Sequence, residues 1–395
     1  MLKTTPLHER TARLVRAQTW RRWAGYQVAS SYEPHPDREY AAIRNAAALF
    51  DVSPLHKYLI RGRDAARLLD RMVTRDVTKC AIGQVLYTPW CDARGKVIDD
   101  GTVSRLDEDL FRLTSAEPNL RWLTMNAVGM DVTIADVSES TAALALQGPL
   151  SRAILSQLSP ADLGALKYFR LVPTSLAGVP VVISRTGYTG DLGYEIWIDA
   201  AQAVTVWDEL LRVGFSYGIA PAGIWALDLA RIEAGLVMLD VDYYSSHHAL
   251  IDDQKSSPYE INLGWTVSDT KGPYNGRRVL RAEKKRGAKW NFVGVEVSWP
   301  SLERRYNERG LPPALPTVAW RGSAPILFDG RQVGYATSGC WSPLLKKYIA
   351  LAHIAAPHFA PGTAVEMEMT VEHRRKRIDG TITKLPFFDP ERKRA

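Results

Sequence analysis

Cysteine is scarce in this chain: Cys80, Cys91 and Cys340 are the three in 395 residues. Their number and spacing supply neither a disulfide framework nor a metal knuckle, and thiols this sparse suit a reducing, cytoplasmic setting. Long apolar runs are missing as well. No stretch approaches the roughly 18–20 apolar residues that a bilayer-spanning helix needs. The opening MLKTTPLHERTARLVRAQTWRRW has no apolar secretory core. Nothing in the first 270 residues resembles G-x-G-x-x-G or a Walker loop, so nicotinamide and nucleoside-triphosphate chemistries lose support. No internal repeat of 20–50 residues is visible, which sets solenoids and propellers aside.

What is present suits a globular enzyme. Apolar residues make up 46% and charged residues 24%, both ordinary values, and the length allows two or three domains. The net charge of +7 concentrates late, in KKRGAK (284–289), ERRYNERG (303–310), HRRKR (373–377) and ERKRA (391–395). Basic runs can hold nucleic acid, but these lack interleaved aromatic platforms and any recognised binding motif. Solvated strand ends, or a rim steering an anionic ligand, fit better. A domain boundary is expected near residues 269–290, followed by short strands with turn signals such as Asp329-Gly330. Segment 301–323 reads as a long loop. In DAAQAVTVWDELLRVGF, Asp199 is the expected N-cap with Gln202 three residues on. PAGIWALDLARIEAG is expected to start at Pro221 and stop at Gly235.

Three segments carry the chemistry. SRTGYTGDLGYEIWI (184–198) spells a β-hairpin, with Gly187, Gly190, Gly193 and Asp191 as turn residues between alternating strands. Tyr188 and Glu195 put an aromatic face and a carboxylate at its mouth. Such a pair can stack on a flat heterocycle and accept from its N–H groups; an ordinary hairpin with a solvated Glu is the plainer reading. In ARGKVIDDGTV, strand alternation sends Asp99 and Asp100 to opposite faces, so one cavity receives only one of them. The segment DVDYYSSHHALIDDQKSSPYE (240–260) gathers Tyr243, Tyr244, His247 and His248 with Asp252, Asp253 and Lys255. A metal site is set aside there because adjacent histidines point apart on most backbones. A polar surface loop and a proton-donating pocket both remain.

RTGYTGDLGYE resembles the RTGYTGE-x-GFE loop of the T-protein (aminomethyltransferase) superfamily, whose members bind tetrahydrofolate. TPLHER, ALFDVSPLHKYLIRG, LYTPWCDARGKVIDDGTV, ALALQGP, PAGIWALDLARIEAGL, NLGWTVS and SGCWSPLLKKYIALAHI are similar to the family's segments, in its order. With Glu9, the family-like TPLHER implies that the Arg-rich start is mature sequence rather than a transit peptide. The resemblance implies an α+β fold: a three-domain cloverleaf around a folate channel. Residues 1–280 would form the folate-binding region, split as about 1–50 with 140–270, and 51–139. Residues 288–390 would form a C-terminal antiparallel β-barrel or jelly-roll domain.

By the same resemblance the cofactor is tetrahydrofolate, Asp100 is the essential aspartate, and Tyr87, Tyr168, Tyr188, Glu195 and Trp341 line the folate pocket. Departures from the family fall on the donor side. The GARD-x-x-RLE helix motif reads WALDLARIE, so Leu227 replaces an arginine while Asp228 and Arg231 remain. Pro54 stands where the family has His, His56 is new, Ser104 replaces a tyrosine, and Phe388-Asp389 replace Tyr-Arg. A leucine cannot supply a bidentate anion site. The expectation is therefore a demethylase of the dimethylsulfoniopropionate or vanillate type, moving a methyl group to tetrahydrofolate from a small donor, best an aromatic methyl ether. Tyr244, His248 and His56 would protonate the leaving atom, and Tyr26, Tyr32, Trp225, Tyr243 and His247 would line the donor pocket. The alternatives are S- or N-methyl demethylation, or a glycine cleavage aminomethyltransferase making 5,10-methylenetetrahydrofolate. An iron–sulfur-repair folate protein would carry KGC-x-x-GQE, where this chain has KSSPYE. A module serving an amine oxidase would need a flavin-bearing partner. No nucleic acid or membrane partner is expected; monomer and homodimer both stay open.

Overall fold

The computed structural model describes residues 2–395, and the described strands fall into four sheets. Strands are numbered in chain order. A small N-terminal sheet holds β1 (Lys3–Thr4), β2 (Trp20–Trp23) and β3 (Tyr26–Ala29). A six-stranded sheet takes β4 (Ala48–Asp51), β10 (Thr141–Gln147), β11 (Leu171–Leu176), β12 (Val179–Ser184), β13 (Gly193–Asp199) and β14 (Ala220–Pro221). Its spatial order is β11-β12-β13-β10-β4-β14. The intervening chain folds separately as β5 (His56–Arg61), β6 (Val85–Cys91), β7 (Val97–Arg105), β8 (Leu110–Ser115) and β9 (Thr133–Asp136), ordered β6-β7-β8-β5-β9. The last unit is a closed antiparallel barrel of β15 (Trp290–Val297), β16 (Trp320–Phe328), β17 (Arg331–Ser342), β18 (Lys347–Ala355), β19 (Ala364–Val371) and β20 (Arg374–Thr383). Closure leaves the barrel no free edge to pair with other chains.

Apolar alternation drives each layer. Leu144, Leu146, Ile183, Ile196 and Ile198 project from the six-stranded sheet into one core with Trp207 and Leu210 of helix Ala203–Gly214. Phe111 and Leu113 enter a second core beside Trp90 and Leu69. The third core joins the units: Leu227, Ala230 and Tyr243 meet Cys340, Ile349 and Leu351 of the barrel. Helix Ile224–Glu233 is thus a buried pillar between sheet and barrel, with Asp228, Arg231 and Glu233 all inside.

Several local expectations shift. Asp199 accepts from Ala201 N at 2.9 Å and caps a 3-10 turn, Ala200–Gln202, rather than the helix beyond it. Pro221 lies in β14, and the pillar helix begins two residues after Ala222. Gly235 does sit just past its end, in the left-handed region at φ +64°. Segment 301–323 is no plain loop: helix Trp299–Asn307 occupies its start, N-capped by Ser298, and β16 its end. The late basic runs are partly used internally, since Arg375 and Arg377 pair with Glu368 and Glu366 of β19. No described helix is long and apolar enough to cross a membrane.

Candidate active site

The site grows from β7, where Asp99 and Asp100 part company as alternation requires. Asp99 is fully buried and accepts from Asn119 Nδ2 at 2.9 Å and from the Glu117 N–H at 3.0 Å. Asn119 in turn accepts from Trp90 Nε1 at 3.0 Å, which ties the aspartate to the domain core. Asp100 faces the other way. Tyr87 Oη donates to its Oδ2 at 2.7 Å, and Tyr243 Oη donates to its Oδ1. Burial pushes the Asp100 carboxyl above the usual carboxylate range although both phenols favour the charged form. Both phenols are pushed well up by burial and by this carboxylate, so they stay protonated donors. A Cβ at Gly101 would lie 1.9 Å from the Thr114 carbonyl oxygen, so only glycine lets β7 and β8 close at this point.

The barrel holds Tyr243 in place through its neighbour. Asp242 is bonded by Arg231 of the pillar helix and by Thr337 and Ser338 of β17, while His353 Nε2 lies 2.6 Å from its carbonyl oxygen. Arg231 also donates to Asp228 at 2.9 Å. The Asp100 cluster therefore stands where all three major units meet.

The hairpin β12–β13 forms the facing wall, paired Ile183 with Ile196 and Ser184 with Glu195. Two of its glycines serve packing rather than a turn. Cβ atoms at Gly187 and Gly193 would come within 2.0 and 2.2 Å of the Gln147 amide, which threads between them to the Thr186 and Tyr194 carbonyls. Gly190 alone of the three needs a positive φ, +73°. Tyr188 Oη donates to the Val237 carbonyl, and Glu195 accepts from Thr186 Oγ1. Burial raises the pKa of Glu195, while Thr186 and the charge of Arg112 act to lower it. Tyr168 stands nearby with the C-terminal Lys393 over its ring at 5.9 Å. Tyr87 stacks on Trp265 at 6.3 Å; Trp265 is 64% exposed, lies under Arg75, and marks an open mouth.

Other expected residues lie elsewhere. Trp341 packs on Trp299 at 5.5 Å with the barrel's own core, because alternation in β17 gives Cys340 and Ser342 the face toward the site. Tyr244 is 43% exposed, His247 is exposed and edge-on to Trp122, and His248 pairs with Glu117 at the surface, 2.9 Å away. His56 and Tyr26 share a corner with Lys3 and Asp136. Tyr32 is buried against Thr11, Asp51 and Glu39, and the Trp225 N–H donates to Ser30 at the helix start. Of the expected donor-side residues, Tyr243 alone touches Asp100.

The N-terminal two thirds, residues 4–271, match the family model described as the GCVT N-terminal domain. The chain belongs to the glycine cleavage T-protein family. Residues 310–389 match the family's C-terminal barrel domain. The chain is 34% identical over 395 residues to an aminomethyltransferase of Halothermothrix orenii, covering 98% of this chain and all of that one. It is 35% identical over 354 residues to one from Moorella thermoacetica, covering 89% and 88%. A solved aminomethyltransferase T of the glycine cleavage system from Bartonella henselae superposes with a TM-score of 0.83 at 24% identity, covering 98% and 99%, and so shares the three-unit fold.

Full-length kinship with aminomethyltransferases overturns the demethylase reading and its place on that branch. The physical basis of that reading fails too. Of its proton donors, Tyr244 and His248 are on the surface, and half-buried His56 sits beside Asp136 and Lys3. Beside the helix that carries Leu227, Arg321 of β16 donates from Nε to Asp228 at 2.7 Å. Sequence reasoning passed over Arg321, 93 positions away, and also Arg112 and Trp197. The signal for Arg112 was there: a lone charge inside the apolar strand LFRLTS.

Proposed function

We propose that this T-protein family member is a tetrahydrofolate-dependent aminomethyltransferase, taking the aminomethyl group of a lipoyl carrier to give 5,10-methylenetetrahydrofolate. The observation that carries the reading is the half-buried Asp100, held by two phenols at the meeting point of three units in a chain akin throughout to aminomethyltransferases. The residues fit a pterin: Glu195 offers an anionic acceptor, Tyr188 offers a ring face, and Arg112, stacked on Trp197 from the facing sheet, has unfilled donors. Tetrahydrofolate supplies the amine nitrogens that take up the one-carbon unit. Asp100 would orient that nitrogen and receive its proton. Its raised pKa brings it nearer to working pH, where a general base is most effective, contributing ~10²–10⁴-fold. Tyr87 and Tyr243 keep the carboxylate aimed.

In balance, the carrier's carbon–sulfur and carbon–nitrogen bonds break and two carbon–nitrogen bonds form. The thiol and ammonia leave with the two protons released by the folate amines. The test is to incubate the protein with an aminomethyl-loaded lipoyl carrier and tetrahydrofolate, and to measure methylenetetrahydrofolate and ammonia together. Stoichiometric release by wild type and its loss in Asp100→Asn is expected. No ammonia above the carrier's spontaneous breakdown would overturn the reading. We also propose a cytoplasmic location, on the scarcity of cysteine.

A further inference from the structure

Arg112 lies midway along β8, opposite Ser104 of β7. Its neighbours Phe111 and Leu113 point into the core of their own unit, so alternation turns Arg112 to the face that meets the hairpin. There its guanidinium lies 3.8 Å from the centre of the Trp197 ring, held flat by stacking. The residue is 4% exposed, yet Nε and Nη2 are buried without a hydrogen-bond partner. Buried donors on a charged group are rarely left empty in folded proteins, because each forfeits its hydration. The favourable charge beside it is Glu195, two residues from Trp197 on β13, whose carboxylate is bonded to Thr186 and not to Arg112. Burial lowers the Arg112 pKa to about 9, so it remains cationic at neutral pH.

Glu195 on the hairpin and Arg112 on the sheet facing it thus bring an anionic acceptor and a cationic fork of donors near one another. A cyclic lactam with an exocyclic amine has the opposite pattern: N–H donors adjoining a ring carbonyl. We propose that Arg112 donates to the 4-oxo group of the pterin while Glu195 accepts from its N3–H and 2-amino groups, so that the pair selects a 4-oxo edge over a 4-amino edge. This rests on the tetrahydrofolate reading above. The residue opposite on β7 is the small Ser104, and the planar guanidinium can meet the carbonyl with two donors where an ammonium would offer one point charge. Arg112 is then a specificity residue, remote from the proton handled at Asp100.

Titration calorimetry with tetrahydrofolate and with its 2,4-diamino analogue tests this. Wild type is expected to favour the 4-oxo ligand at least ~10-fold, since a 4-amino group sets donor against donor. Arg112→Gln should weaken the 4-oxo ligand by about 10- to 100-fold, the worth of one or two charge-assisted bonds, and bring the two affinities together. Arg112→Lys should fall between, and melting curves check that each variant folds. A folded variant with the wild-type preference would overturn the proposal alone. So would a wild type without preference, even if neither variant folds. Wild type binding neither ligand would overturn the tetrahydrofolate reading and this proposal with it.

Discussion

Replacing Tyr243 with phenylalanine removes one hydroxyl from the Asp100 cluster and keeps the ring that fills the junction of the units. Asp100 then retains one phenol donor, from Tyr87 at 2.7 Å. A hydrogen bond to a charged group is worth about 1.5–3 kcal/mol, and one pKa step corresponds to about 1.4 kcal/mol. The Asp100 pKa, already raised by burial, should therefore climb by a further ~1–2. The sign is set by the charged form: with less support it binds its proton up to a higher pH. If transfer needs the ionised carboxylate, the acid limb of the kcat/KM profile moves upward by ~1–2 pH units. The plateau at higher pH should stay within severalfold of wild type. Stability follows the same linkage. A carboxyl whose folded pKa is raised contributes stability that is full below its unfolded pKa and lost as pH rises through the folded one. Tyr243→Phe extends that loss to higher pH. The assay is methylenetetrahydrofolate formation against pH, with Asp100→Asn as the inactive reference. An acid limb that stays put in a folded Tyr243→Phe enzyme would refute the argument that this phenol holds the ionised carboxylate.

Other perturbations separate framework from chemistry. Arg44→Met strips a buried guanidinium from Glu233 (2.6 Å) and Asp191 (3.3 Å). Leaving those charges buried should cost about 3–5 kcal/mol in urea unfolding, reduced if Arg392, also on Asp191, takes up the slack. Gly101→Ala drives a methyl group into the Thr114 carbonyl; a loss of about 1–3 kcal/mol in stability is expected, with weakened tetrahydrofolate binding because Asp100 is displaced. His248→Ala and Tyr244→Phe change exposed groups and should leave kcat/KM within about twofold. A tenfold drop in either would return that loop to the active site.

The hairpin 184–198 was legible because its cues are local: alternation, a positive-φ glycine and a turn of fitting length. The opposite faces of Asp99 and Asp100 followed from the two-residue period of a strand, with no knowledge of what either touches. The glycines were recognised but misassigned in part. Gly187 and Gly193 make room for Gln147, some 40 residues upstream, and nothing near them in the chain says so. Side-chain type, the basis for expecting proton donors at Tyr244 and His248 of the 240–260 loop and at His56, carries no information about exposure. Of that loop, Tyr243 turned inward because Asp242 is gripped by Arg231 and the barrel, while Tyr244 and both histidines stayed in water.

Sequence by itself therefore determined most strands, the antiparallel C-terminal domain, the family and the opposite faces of Asp99 and Asp100, since period, turn chemistry and motif order all act within short windows. The tertiary structure alone decided which charges meet. Arg321 reaches Asp228 across 93 positions, Tyr243 reaches Asp100 across 143, and Arg112 comes to lie over Trp197 beside Glu195 with donors to spare. Such encounters are fixed by how the three units pack, and burial then shifts their pKa values, so no stretch of chain read alone carries them.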